Sequence, residues 1–359
     1  MTGMKETKRT LRAAVIGAGH IARQHLACLN EMPGVDVVGV CDLSPATAEA
    51  AAERFGIRRH FVDHRELLRQ TTPDVVHVTT SPSSHYPLAL DALDAGAHVF
   101  VEKPAAVTYE QLRDMLGRAA RSRLLLVEDH NYLFNEPVQR VLGLIRSGEF
   151  GDVVHAEVMI CLDILGKGSR LADPDLPHPS LSLPGGAIAE FLTHLAYLAY
   201  AFVGPHRSVR TIWSKRDARS PLPSDEFRAM VDAEHGTASL GFSSHVQPDV
   251  FWLRVYGTKM RAVVNLFEPR LTIDRTRSGP RPLTPLFNGL REAKDVRHAA
   301  VGGLVRKLSG GPGAYEGLWE LLRRTYDALG SGAEPPVSMR QIDDVNRLVA
   351  DLTREELVI

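Results

Sequence analysis

Apolar residues in the first 130 positions gather into short runs separated by longer amphipathic stretches. The first run, Leu11–Gly17 (LRAAVIG), ends in Gly17-Ala18-Gly19-His20-Ile21-Ala22 and gives way to a helical stretch that reaches Asn30. Asp36–Asp42, Arg59–Asp63, Asp74–Thr80, Ala97–Glu102 and Leu124–Glu128 repeat the strand pattern, with helices expected over 45–54, 84–95 and 108–121. Strands of about five to seven residues separated by helices of about ten or more predict parallel βαβ units. Runs such as VVGV and LLLV are apolar on both faces, as a sheet covered on both sides requires.

After residue 130 the pattern changes. Asn131–Pro137 precedes a helix, Arg146–Gly151 turns into a strand from Val153, and Gly185-Gly186 leads a long apolar helix. From about 208 to 275 the runs alternate: Phe227–Glu234 and Thr237–Ser243 flank His235-Gly236, a hairpin signal, and Phe251–Tyr256 and Met260–Leu266 flank Gly257-Thr258-Lys259. The expected fold is an α/β Rossmann domain over 1–128 followed by an α+β domain with a largely antiparallel open sheet over 129–337. A helix over 338–359 is expected to pack back near the first domain.

Composition narrows the picture without moving it. The chain has 359 residues, 42 Lys plus Arg against 43 Asp plus Glu, and 44% hydrophobic residues. That length suggests two domains, and the net charge of −1 argues against a nucleic-acid partner held by a global positive field. Cys28, Cys41 and Cys161 are odd in number and widely spaced, which excludes a disulfide framework and fits a reducing cytoplasm. The apolar run after Lys5, Lys8, Arg9 and Arg12 is too short for a signal sequence. No transmembrane segment is expected, since the best candidate, Ala187–Val203, contains Glu190 and His194.

The first chemistry lies in the glycine turn. Its spacing is G-x-G-x-x-A: Gly17 permits the tight turn, Gly19 lets the backbone approach a pyrophosphate, and Ala22 allows close packing of helix on sheet. The helix that starts at His20-Ile21 offers N–H groups to the anion. The pattern follows a strand, opens a helix and is followed by an acidic strand end, Asp42, which is the context the fingerprint needs. Asp42 can accept bonds from ribose hydroxyls and repels a 2′-phosphate, so NAD is favoured over NADP. The plainer reading is a tight turn with Asp42 as a cap.

A second motif lies at the fifth strand, which ends in Glu102-Lys103-Pro104. A lysine at the carboxyl end of a parallel strand sits over the ligand crevice. The run TTSPSSHYPLALDALDAGAHVFVEKP, residues 79–104, closely resembles the signature of the Gfo/Idh/MocA oxidoreductases, a family that includes glucose–fructose oxidoreductase and inositol dehydrogenases. The resemblance extends from the glycine turn to the final helix. It implies that Gly17, Gly19, His20, Ile21, Asp42, Thr80, Ser81, Pro82, His85, Glu102 and Lys103 bind the cofactor, with Glu102 and His85 near the nicotinamide ribose. It places Lys103 beside the reacting carbinol, and makes His130 and Asn131 candidate substrate contacts. Tyr132 and Leu133 stand where the family often has arginines.

The resemblance also reads Gly185–His194 as the family's glycine-led helix carrying an acid and a histidine. The i, i+4 spacing puts Glu190 and His194 on one face, where a carboxylate can orient an imidazole that shuttles the alcohol proton. Glu190 replaces the usual Asp, Leu192 a common Gly, and Tyr197 stands where another Asp is often found. A helix Glu–His pair without catalytic duty is the plainer alternative. No metal is expected, because zinc would want a third ligand and no HxH or HExxH pattern is present. Residues 268–308 hold nine Arg or Lys against four Asp or Glu, a local balance of +5. Within them, 286–308 reads as an interrupted helix. The segment reads either as a solvated insertion packing on a neighbour or as a surface for anionic groups, such as a nucleotide-sugar diphosphate or a membrane surface.

The function these readings imply is hydride transfer between nicotinamide and a secondary hydroxyl or ketone of a sugar, nucleotide sugar or cyclitol. Lys103 and His194 would handle the proton, with Glu190 orienting. A tightly bound NAD serving redox-neutral elimination, epimerisation or transfer is one competitor, and a non-catalytic dinucleotide-binding regulator is another. Homo-oligomerisation through the second sheet follows from the resemblance.

Overall fold

The computed structural model describes residues 9–354 apart from 167–168, 170–178, 219, 221, 276–282, 284, 291–292, 295–296 and 298–312. Most of the basic segment, and of the interrupted helix expected over 286–308, lies outside the described residues. The chain divides into two units, Met1–Asp129 with Leu318–Asp343, and His130–Gly317 with Asp344–Ile359.

The first unit alternates strand and helix: β1 (Leu11–Ile16), α1 (Ala22–Glu31), β2 (Val35–Cys41), α2 (Pro45–Phe55), β3 (His60–Phe61), α3 (His64–Thr71), β4 (Val75–Val78), α4 (Pro82–Asp94), β5 (His98–Val101), α5 (Tyr109–Ser122) and β6 (Leu126–Glu128). All six strands pair parallel in the order β3-β2-β1-β4-β5-β6. This is the doubly wound order whose switch point lies between β1 and β4. Local chemistry starts the helices. Ser44 caps α2 with Pro45 at its first position, Asp63 caps α3, and Thr108 with Gln111 forms a capping box on α5. The strand reading passed over α3, whose segment HRELLRQT is polar except for Leu67 and Leu68; its N-terminal signal was the Asp63 cap.

The second unit holds α6 (Glu136–Arg146), β7 (Val153–Cys161), α7 (Gly186–Val203) and β8 (His206–Ser214). Then follow β9 (Glu226–Ala233), β10 (Gly236–Ser243), β11 (Val250–Gly257), β12 (Met260–Asn265) and β13 (Arg270–Arg275). Their sheet runs β13-β12-β11-β7-β10-β9-β8, antiparallel at every pair except β7 with β10. The inward positions Ala156, Val158 and Ile160 of β7 and Ala238, Leu240 and Phe242 of β10 are buried, and α7 packs on these two strands. By length and composition α7 is apolar enough to cross a membrane, with a mean hydropathy of 1.4, yet 78% of it is buried within the protein. It is the core helix of its unit.

Two late helices connect to these units as follows. Helix α8 (Glu316–Ser331) contributes most of its length to the first unit, where Leu318, Leu321 and Leu322 are fully buried and the Tyr326 hydroxyl reaches His77 of β4. Helix α9 (Met339–Arg354) is divided: up to Asp343 it belongs to the first unit, where Asp343 accepts from the Tyr109 hydroxyl of α5 at 2.9 Å, and from Asp344 onward it belongs to the second. Its Val345, Leu348 and Leu352 are buried, Asp351 pairs with His206, and the Leu352 carbonyl accepts from the Trp213 indole.

Candidate active site

At the switch point of the first sheet the glycine turn is shaped by contact. Gly17 has φ +93°, and a Cβ there would lie 2.7 Å from Thr80 Cγ2 and 2.8 Å from the Thr79 carbonyl carbon. Thr79 Oγ1 donates to the Gly17 carbonyl at 2.7 Å, tying the end of β4 to the turn. Only glycine meets both the conformation and the space. Gly19 and His20 are exposed, Ile21 is half-buried, and a Cβ on Gly19 would meet nothing within 4 Å. Asp42, just past β2, accepts from the Ala18 N–H and from the Ser44 N–H, each at 2.9 Å. One carboxylate thus fixes both the glycine turn and the start of α2. A glycine cradle, a helix N-terminus and an adjacent carboxylate fit a dinucleotide: the turn and α1 would hold the pyrophosphate, and Asp42 a ribose.

Beside this cradle, Thr80, Ser81 and Pro82 lead into α4 and are half-buried. His85 is fully buried, with Nδ1 2.9 Å from the Pro104 carbonyl and Nε2 3.0 Å from that of Thr80, so it ties α4 to the loop after β5. Burial holds its pKa below the usual imidazole value, against the pull of those carbonyls. Lys103 is half-buried at the start of that loop, and its peptide bond to Pro104 is cis. Glu102, only 6% exposed, turns its Oε1 to His25 Nε2 at 2.9 Å.

Two further carboxyls that the sequence reading did not single out stand at the end of β6. Glu128 accepts from the Ala105 N–H at 2.8 Å, and Asp129 hydrogen-bonds Glu102. Burial, then the Glu102 charge, holds the Asp129 carboxyl well above the usual range. Burial acts to raise Glu102 too, but the hydrogen bond and charge of His25, with Lys103 and His85, outweigh it and keep Glu102 low. The two environments therefore push the carboxyls apart, Asp129 upward and Glu102 downward.

In the second unit a different set gathers. His194 is 7% exposed, its Nδ1 lies 2.8 Å from the Tyr197 hydroxyl, and Tyr197 in turn donates to Asn131 Oδ1 at 3.1 Å. Tyr197 therefore accepts from His194 Nδ1–H, and the neutral imidazole keeps its lone pair on Nε2. The ring is boxed by Tyr132 and Phe251, while His130 is fully buried and stacks on Tyr197 at 4.6 Å. Glu190, one turn before His194, accepts from the Ser180 hydroxyl. Asn131, His130 and His194 are thus joined through Tyr197. The sequence registered Tyr197 only as a departure from the family, and its position three residues after His194 on one helix face was the available signal.

Residues 11–130 match the sequence model of the Gfo/Idh/MocA oxidoreductase family, described as an NAD-binding Rossmann fold. That match covers 120 of the 359 residues. A glycosyl hydrolase family 109 protein of Akkermansia muciniphila is 33% identical over 158 residues, covering 41% of this chain and 33% of the relative. D-glucoside 3-dehydrogenase of Escherichia coli is 34% identical over 148 residues, covering 41% and 42%. The matched stretch thus spans less than half the length of these curated relatives. The WlbA dehydrogenase of Bordetella pertussis, solved with NADH and UDP-GlcNAcA, has the same fold over 97% of this chain and 96% of its own, with a TM-score of 0.78 and 21% identity.

Proposed function

We propose that the protein is an NAD-dependent oxidoreductase acting on a secondary hydroxyl, or the corresponding ketone, of a sugar, nucleotide sugar or cyclitol. The observation that carries this reading is the Asp42 carboxylate bonded to the glycine turn at the end of β2. Its charge favours ribose hydroxyls over a 2′-phosphate, and so NAD over NADP. When bound, NAD supplies the hydride acceptor or donor. We assign Lys103 to bonding the reacting oxygen. His194 takes or returns the hydroxyl proton at Nε2, with Tyr197 and Asn131 holding its tautomer. Glu190, bonded to Ser180, is assigned to the substrate or to the support of His194. The sugar class draws support from the D-glucoside 3-dehydrogenase likeness, and a nucleotide-sugar substrate from the UDP-GlcNAcA in WlbA.

The test follows reduced-nicotinamide absorbance across a panel of sugars, nucleotide sugars and inositols. Wild type turns over at least one compound with NAD in preference to NADP. Lys103→Ala lowers kcat/KM by about a hundredfold while NAD binding persists. An effect in the cell that survives Lys103→Ala would instead make the chain a non-catalytic dinucleotide-binding regulator. Higher activity with NADP sinks the Asp42 assignment.

A second reading is favoured by the relatives named as glycosyl hydrolases. There a tightly held NAD would serve a redox-neutral elimination, epimerisation or transfer on a sugar. Its sign is NAD that survives purification and product formed without added cofactor. We further propose a cytoplasmic homo-oligomer. Supporting this, Cys28, Cys41 and Cys161 are all free and buried, and burial above all pushes Cys28 and Cys41 up to about 12. The outer face of the second sheet exposes Ile212 and Met230.

A further inference from the structure

Behind Glu102 the first unit buries a row of titratable side chains for which hydride transfer alone has no use. Glu102 Oε1 lies 2.9 Å from His25 Nε2, His25 Nδ1 lies 2.9 Å from His77 Nδ1, and His77 Nε2 lies 2.8 Å from the Tyr326 hydroxyl. The four residues come from the end of β5, α1, β4 and α8. Both histidines are fully buried and Tyr326 is 5% exposed. His77 is stacked against Phe100 and Tyr326, and His25 sets an edge against both His77 and Phe100, so neither ring turns over without opening the core.

The end of the row settles every donor. An ionised carboxylate only accepts, so His25 donates from Nε2 and accepts at Nδ1. His77 then donates from Nδ1 and accepts at Nε2, and Tyr326 donates its O–H. Moving one proton along each of the three bonds gives a second complete arrangement. Glu102 then carries a proton, His25 holds Nδ1–H, His77 holds Nε2–H, and Tyr326 has its oxygen proton replaced from the other side. Three N–H or O–H bonds break and three form within the row, one new O–H forms from the replacement proton, and the row gains one positive charge.

Tyr326 also stands in the wall of a pocket of about 410 Å³ with Arg9, Cys28, Glu31, Trp319 and Arg323. Leu11 and Val35, the first residues of β1 and β2, line the same pocket, so it opens at the amino end of the sheet, opposite Lys103. We propose that His25, His77 and Tyr326 form a proton relay that exchanges one proton between buried Glu102 and this pocket. The charged and titratable groups facing Glu102 are His25 from α1, His85 from α4, Lys103 beside it and Asp129 from the end of β6. Besides His77, the charges of Cys28 and Asp74 act on Tyr326, and Arg9, Glu31, Arg323 and Asp327 line the pocket it faces. The relay lets Glu102 change charge when charge develops at Lys103, and this use of it rests on the dehydrogenase reading. His25, His77 and Tyr326 are positioning residues in that scheme.

The test reads imidazole N–H protons by 15N-resolved NMR in the full-length protein without substrate. Wild type shows Nε2–H on His25 and Nδ1–H on His77, and both protons exchange with water about tenfold faster than the backbone N–H groups of β4 and β5, which need the unit to open. Tyr326→Phe keeps the ring and removes the hydroxyl; it slows both imidazole exchanges about tenfold and leaves the backbone rates alone. His77→Gln keeps hydrogen bonding but cannot pass the proton, and slows His25 in the same way. Equal imidazole exchange in wild type and Tyr326→Phe overturns the relay, as does the opposite tautomer on either ring. On any substrate the panel yields, Tyr326→Phe lowers kcat about tenfold and alters its pH profile, with KM unchanged. Absence of turnover in wild type strikes the dehydrogenase reading alone, because the exchange is measured without substrate.

Discussion

Gly17 and Gly19 stand two residues apart and respond oppositely to an added methyl group. At Gly17 the methyl meets Thr79 and Thr80 below 3 Å and the backbone has φ +93°, so Gly17→Ala costs about 1–3 kcal/mol of stability. At Gly19 the methyl meets nothing, so Gly19→Ala folds normally and weakens NAD by roughly tenfold or more, because it stands where the pyrophosphate must approach. Denaturant titration and NAD titration separate the two; equal loss of stability in both variants refutes the assignment. Tyr197 is the other informative residue. Tyr197→Phe removes the oxygen that takes the His194 Nδ1 proton, and it lowers kcat roughly tenfold and shifts the pH profile while NAD affinity stays. An unchanged profile sinks the tautomer argument. The glycine turn and Asp42 were legible in the sequence because their contacts are local or recur at a known spacing. Tyr197 was not legible as a partner, because Asn131, which its hydroxyl reaches, is 66 residues away. His25 and His77 were hidden for a similar reason. His77 is a single polar residue inside an apolar strand, His25 is one of several polar residues on an amphipathic helix, and the partners of each lie on other elements.

At the scale of elements, periodicity located the strands of the first sheet because most are short, largely apolar runs. It missed α3, where only two leucines mark the buried side. It also grouped α8 with the second domain, since a sequence shows that a helix has an apolar face but not which sheet receives it. The seven-stranded sheet gives the element-scale prediction. On its outer face Ile212 pairs opposite Arg228, and Met230 opposite both Arg210 and Ser239, with the two hydrophobic residues 58% and 53% exposed. Ile212→Asp in an isolated chain changes stability by about 0.5 kcal/mol or less, as exposed substitutions do. In an oligomer built on this face it buries a carboxylate and weakens assembly about tenfold or more. Sedimentation velocity of the two proteins decides it, and identical profiles remove this face from the proposed interface.

For the whole molecule the distribution of buried charge matters more than the net value of −1. Near neutrality hides three carboxyls and several histidines packed around one end of the first sheet, and these set how stability responds to pH. His77 and His85 are held below the ordinary 6.5, His77 by burial first and by His25 second, His85 by burial against its carbonyl partners. Below about pH 6.5 the unfolded chain takes a proton on each of them and the folded chain does not. Each therefore costs up to about 1.4 kcal/mol of stability per pH unit of acidification, until its folded value is reached. Asp129 runs the other way. Its folded carboxyl keeps a proton that the unfolded one loses above about 4, so its contribution is present at low pH and is lost as pH rises. Glu102 adds stability that is present above about 4.5 and lost only as pH falls through its lowered value. Just below pH 6.5, before the folded values of the two histidines are reached, they outnumber the one opposing carboxyl, and urea midpoints fall as the medium is acidified. His77→Gln removes one histidine while keeping hydrogen-bonding groups on both sides, so its stability declines less steeply over that interval, by about 1.4 kcal/mol per pH unit. Parallel wild-type and variant curves would mean that His77 takes up its proton in the folded chain as readily as in the unfolded one, which its burial between Phe100, His25 and Tyr326 opposes.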